Sequence, residues 1–239
     1  MSKEKNQKTN QQFITRFLLA CGVIGPLLFI LVFLIEGVTR SKYNAWHNFV
    51  SDLSMGQEGW EQIGNFLVCG ALMLCFAVGL RRILRPGKGS VLGPILFGLF
   101  GLALIVVGLF VTDPVGGPPT VHGTVHNYVT LLVFVALIAA CFVLARRFSG
   151  DPAWRAWAPY SIITGILVAM FYIATNVASF LDQSGTLQGA PVGLLQRTAI
   201  ILGWGWVALV AFRLLFKSKM ATEQVMESSE TETPVGSHT

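Results

Sequence analysis

Charge is scarce in this chain. Of its 239 residues only 12% are Asp, Glu, Lys or Arg, about half of what a soluble domain carries. That shortage excludes an ordinary water-soluble domain. The few charges are bunched between long apolar runs, as in a protein whose solvent is largely lipid. Cysteine is also sparse. Cys21, Cys69, Cys75 and Cys141 all fall inside apolar runs and form no CxxC pair, so neither a disulfide framework nor a zinc knuckle is written here. The chain also lacks a Gly-rich phosphate loop, a CxxCH run and a G-x-S-x-G elbow. Nucleotide binding, covalent haem attachment and α/β-hydrolase chemistry therefore have no support in the sequence.

What is present is apolar length. Hydrophobic residues make up 53% of the chain, and its mean hydropathy is +0.63. A membrane crossing takes about 20 residues at 1.5 Å each. Six uncharged or nearly uncharged stretches meet that need: Phe13 to Glu36, Gln62 to Leu80, Ser90 to Val111, about Val125 to Ala145, Ala156 to Leu181, and about Val192 to Phe216. The first follows a polar, basic start but has no small-residue cleavage site before Glu36. It reads as a retained helix rather than a signal peptide.

Lys and Arg set the expected orientation. With the N-terminus inside, the inner segments hold 14 of the 17 positive residues, and the outer ones hold Arg40, Lys42 and Arg197. The positive-inside rule then places both termini in the cytoplasm. It also explains the net charge of +5 as a topology signal, with no call for nucleic acid as a partner. The sequence thus predicts an all-α integral membrane protein, a bundle of six transmembrane helices with a structured first outer loop. Residues 1–12 read as a basic cytoplasmic tail, 13–216 as the transmembrane domain, and 217–239 as a disordered polar tail.

The chemically interesting residues gather at the predicted outer ends of the helices: Glu36, Arg40, Tyr43, Ser51, Asp52, Asn65 and Arg197, with His47, Asp113, His122 and His126. His122 and His126 are four apart, which on a helix puts both rings on one face. With Asp113 and His47 they are candidate ligands for a divalent metal such as zinc. Tyr43, Trp46, His47 and Val50 recur at steps of three and four and predict a short amphipathic helix in the interface. Ser51 and Asp52 are candidate caps. Arg197 lies inside the sixth apolar run, where a charge is costly, so it should pair with Glu36, Asp52, Asp113 or Asp182, or meet an anionic headgroup. Asn176 in the fifth run predicts an interhelical hydrogen bond. Gly93, Gly98, Gly101 and Gly108 predict close packing of the third helix, and Trp60, Trp154 and Trp157 an aromatic belt.

One resemblance rests on these residues. Arg40, Tyr43 and Asn48 leading into Ser51-Asp52-Leu53-Ser54, then Gly56, Trp60, Asn65-Phe66 and Gly70, Asp113-Pro114, Gly123 with His126, and Gly193 with Gln196-Arg197 resemble bacterial and archaeal membrane proteins grouped as domain-of-unknown-function family 998. The likeness covers about residues 13 to 216. It implies a six-helix membrane protein and no particular activity. The functional expectation is a lipid-interacting, sensor or assembly protein with a polar outer site and membrane lipids as partners. The alternatives are a metal-dependent hydrolase or transferase acting on a lipid at the outer leaflet, and a small transporter.

Overall fold

The computed structural model describes residues 2–84, 87 and 89–231. Among them all regular structure is helical: α1 (Ser2–Thr39), a one-turn 3₁₀ segment η1 (Val50–Ser54), α2 (Trp60–Ile83), α3 (Leu92–Leu109), α4 (Val121–Phe148), α5 (Trp157–Gln183) and α6 (Val192–Thr231). All six α-helices are long and apolar enough to cross a membrane. They stand in chain order around a closed ring, with α6 returning against α1. The loops after α1, α3 and α5 lie at one end, called here the lid end. Those after α2 and α4 lie at the other, the basic end. Arg85 and Lys88, counted above among the inner charges, lie outside the described residues.

Aromatic rings fill the centre of the ring of helices. Trp204 of α6 stacks on Phe29 of α1 at 5.5 Å and meets Phe100 of α3 edge-on at 4.9 Å. Two residues on, Trp206 lies parallel to Phe97 at 6.3 Å, and its indole N–H donates to Ser161 Oγ at 3.0 Å. In lipid the hydrophobic effect does not drive helices together. The dispersion of these large rings therefore carries much of the association. Close backbone approach carries more. A Cβ on Gly70 would stand 2.6 Å from the Gly101 carbonyl oxygen, and one on Gly101 2.7 Å from that of Gly70, so α2 and α3 touch main chain to main chain. Gly108 is equally tight, against Phe66 at 2.9 Å, whereas Gly98 faces open space. The small-residue expectation therefore holds for part of α3 only.

Other expectations are corrected. Trp154 is buried beneath Arg213, whose guanidinium lies 4.9 Å from the indole centroid, so it packs within the protein instead of joining a belt. The helix α6 spans Val192–Thr231 and so takes in the first part of the polar tail that begins at Lys217. Residues 232–239 of that tail lie outside the described residues.

The first loop also differs from expectation. Residues 43–49 form no helix, with a turn only at 45–47, and η1 begins only at Val50. Trp46 is exposed while Val50 is buried, so they do not share a face. The reason lies in the carbonyls that a helix would need. Ala45 and Asn48 give theirs to Arg197, Phe49 gives its own to the Tyr43 hydroxyl, and Trp46 accepts the N–H groups of Gly193 and Leu194 at the start of α6. With its acceptors engaged by another helix, the loop forms a lid on the bundle. Val50 and Leu53 enter the core.

Candidate functional site

Two arginines hold the lid. Arg197 is 6% exposed. Its Nη1 lies 2.7 Å from Ala45 O, 2.9 Å from Asn48 O and 3.0 Å from Gly193 O, and its Nη2 donates to the Tyr43 hydroxyl. Among the described residues it makes no ion pair within 4 Å. The expected carboxylate partner is thus replaced by main-chain oxygens, which accept five-donor guanidinium geometry without bringing a second buried charge. Gly193 makes this possible, since a Cβ there would meet Ala45 O at 2.6 Å and Arg197 Nη1 at 2.8 Å. Burial pushes the Tyr43 hydroxyl up to about 12 against the pull of Arg197, so it stays a phenol and donates a hydrogen bond to Phe49 O at 2.9 Å.

Arg40 closes the far side of the loop. It pairs with Glu36 at 3.4 Å and with Glu58 at 3.1 Å, and donates to Met55 O at 3.3 Å. Asn65 works below, inside the bundle. Its amide donates to Phe29 O of α1 at 3.1 Å and to Gln62 Oε1 at 3.0 Å. Glu36, Arg40, Tyr43, Asn65 and Arg197 are therefore all engaged in holding elements together.

Ser51 and Asp52 face elsewhere. They line a cavity of about 600 Å³ at the lid end, bounded by η1, the α3–α4 loop, α4, α5 and the start of α6. Asp52 reaches back to accept from Phe49 N–H at 2.9 Å, which caps η1 as the sequence suggests. Burial lifts its carboxyl to about 6, opposed by Phe49, Asn48 and the charge of Arg197. Asp113 stands across the cavity. Its two oxygens take the Thr120 hydroxyl at 2.6 Å and the Thr120 N–H at 2.8 Å, and these bonds hold its pKa below the usual carboxylate range. Thr120 in turn caps α4 by accepting from Gly123 N–H at 3.1 Å. The carboxylate packs so closely on Gly123 that no side chain fits at that position.

Of the proposed metal ligands, only Asp113 and His126 reach this cavity. His126 is 2% exposed, and its Nδ1 lies 2.7 Å from Phe110 O. A carbonyl only accepts, so Nδ1 carries the proton and Nε2 is the lone-pair nitrogen. His122 is exposed, its ring 5.1 Å from that of Phe110. His47 lies on another side, with Nδ1 3.1 Å from Ala190 O. Among the described residues no three His, Cys, Asp or Glu side chains gather as a metal centre would need.

The sequence reading missed the far wall. Tyr172, Thr175, Asn176, Ser179, Phe180 and Gln183 line the cavity from α5, at steps of three and four. A polar stripe at helical spacing in an otherwise apolar run was the available signal. Among the described residues Asn176 makes no interhelical bond; its amide N–H donates back to Tyr172 O at 2.8 Å. Gln196 was also missed as a lining residue. It is 8% exposed and accepts from Val50 N–H at 2.7 Å through Oε1. Ser51, His126, Thr130 and Gln196 also border a deeper void of about 30 Å³, whose other walls are apolar, among them Phe29, Phe134 and Trp204.

The model of a family described as protein of unknown function (DUF998) matches residues 23–213. That stretch includes the lid, both arginines and every wall of the cavity. No curated protein matches the chain, and no solved structure does.

Proposed function

The chain belongs to this family of proteins of unknown function, which offers no activity to transfer, and on the geometry of the site we propose that it binds an amphiphile at the lid end of the bundle. The observation that carries the reading is the cavity of about 600 Å³ with a mixed lining. It lies at the end of apolar helices, where the hydrocarbon of a bilayer gives way to headgroups. Its volume falls in the range of small-molecule sites. Phe49, Tyr172 and Phe180 offer apolar walls beside the polar ones, and the deeper void continues the apolar side.

The lid end faces the outside of the cell membrane and both termini face the cytoplasm. The distribution of Lys and Arg supports this orientation. A Gly116→Cys variant is then labelled by an impermeant maleimide on intact cells, and Gly150→Cys only after permeabilisation. The reverse pattern inverts the topology. The binding reading is tested by mass spectrometry of the lipids that remain on the purified protein. The wild type carries one lipid species above the bulk ratio, and Ser179→Trp, which fills the cavity, loses it while still eluting as a folded particle. Equal lipid content in both removes the cavity as the binding site.

A second reading is supported by the residues that share this cavity. His126 lines the cavity together with Asp52 and Asp113, and with Nδ1–H bound to Phe110 O its other ring nitrogen can act as a general base. In that case the amphiphile is a substrate and the protein a hydrolase or transferase. Turnover of a bound lipid that stops in His126→Gln but continues in Ser51→Ala selects this reading over binding alone.

A further inference from the structure

The charge of the cavity narrows its ligand, given the binding reading above. No Lys or Arg lines the cavity among the described residues, whereas Asp52 and Asp113 both do. The arginines at this end are not available to it. Arg197 is spent on main-chain oxygens and Tyr43, and Arg40 on Glu36, Glu58 and Met55. An anionic head would therefore meet two carboxylates with no cation to offset them.

A second, independent observation points into the same space. Gln196 is nine-tenths buried, and its Oε1 is fixed as the acceptor by Val50 N–H. That assignment leaves Nε2 as a donor at the cavity wall. It lines the cavity and the deeper void alike. An amide N–H there can donate to an oxygen that enters the cavity. Asn176 is the converse case. Its amide nitrogen is used on Tyr172 O, so its oxygen is the acceptor left for the cavity. Phe49, Tyr172 and Phe180 add ring faces, which attract cations.

We propose that the cavity takes the protonated amine head of an amphiphile, with Asp113, Asp52 and Asn176 accepting from the ammonium and Gln196 donating to an oxygen beside it. Three demands are met at once by such a ligand: positive charge for the carboxylates, a neighbouring oxygen for Gln196, and a chain that continues along the apolar walls. A phosphate or carboxylate head fits none of the charged groups.

The test uses the full-length chain in a neutral maltoside detergent. Three photoreactive hexadecyl probes differ only in the head: primary amine, alcohol, or phosphate monoester. Labelled peptides are mapped by mass spectrometry. The amine labels residues 172–183 and 112–119 at about tenfold lower concentration than the alcohol, from the attraction of two carboxylates, and the phosphate labels least. In the Asp52→Asn/Asp113→Asn double variant the amine falls to the level of the alcohol, while alcohol labelling persists. Phosphate labelling equal to or above amine labelling overturns the proposal, as does an amine preference that survives the double substitution. Equal labelling by amine and alcohol in the wild type overturns the charge selectivity but keeps the amphiphile reading. Labelling of the cavity by none of the three removes both. If the double variant does not fold, the three probes on the wild type decide the matter alone.

Discussion

The guanidinium of Arg197 lies over the ring of Tyr43, 5.2 Å from its centroid, and donates to its hydroxyl. The two residues are 154 positions apart in sequence, and their contact fastens the lid to α6. A lysine keeps the charge but loses the fork that reaches Ala45, Asn48 and Tyr43 together. Arg197→Lys is therefore expected to cost about 3 kcal/mol, the scale of breaking one partner of a buried charged network. Amide hydrogen exchange at 45–49 should rise well before the helices melt. Lid protection as strong as in the wild type would contradict the clamp described here.

Close main-chain packing makes a second prediction. Gly101→Leu forces α2 and α3 apart, because the new side chain has no room against the Gly70 carbonyl. The cost should be about 2 kcal/mol, the usual scale of overpacking, seen as a lower midpoint of thermal unfolding in detergent. Gly98→Leu, on the same helix but facing open space, should change stability by no more than about 0.5 kcal/mol. Equal effects at the two positions would mean that α2 and α3 do not meet as described.

Much of this architecture was legible in advance for a plain physical reason. Lipid leaves a chain few options, and apolar length marks each helix. The lid was less legible. Tyr43, Trp46, His47 and Val50 have helical spacing, yet the loop gives its carbonyls to Arg197 and to the start of α6. Local periodicity carries no record of such a distant partner. The same holds for Arg197, whose sequence context demands a partner without naming it. The α5 wall was present as a pattern, from Tyr172 to Gln183, but Thr and Ser in a membrane helix usually bond to their own main chain, as Thr175 does to Phe171 O at 2.7 Å. Only the neighbouring elements reveal that the stripe faces a cavity.

Asp52 carries a pH prediction. Its folded-state carboxyl is raised by burial to about 6, from an ordinary 3.8. A raised acid binds its proton more tightly when folded. The folded lid is therefore most favoured below the unfolded pKa and loses stability as pH rises from about 4 to about 6, then levels off. The loss should be on the order of 2 kcal/mol, local to the lid. Exchange protection of 49–55, corrected for intrinsic rates, should fall over that interval in the wild type. In Asp52→Asn, which keeps an acceptor for Phe49 N–H, it should stay flat. A wild-type profile that rises with pH would reverse the sign and place the carboxylate in a more favourable setting than its burial allows.

The histidines allow the sharpest separation of the two functional readings. The proton of His126 Nδ1 is used on Phe110 O, His47 is tied to Ala190 O, and Asp113 is held by Thr120 through both oxygens. Among the described residues no third His, Cys, Asp or Glu side chain joins Asp113 and His126 in a cluster, and His47 and His122 lie outside the cavity lining, so a metal would have to move one of these segments to gather three ligands, which adds to the cost of binding. Purified wild-type protein incubated with zinc should therefore lose it to a weak chelator, and His122→Ala should change nothing. Replacing His126 by alanine should lower thermal stability, by about 2 kcal/mol for a buried ring and its hydrogen bond, with zinc content unchanged. Near-stoichiometric zinc that survives chelation and disappears in both His122→Ala and His126→Ala would show that the α3–α4 loop rearranges to build a metal centre. The cavity would then be a catalytic site, because the bound ion would supply the activated water that the described side chains do not.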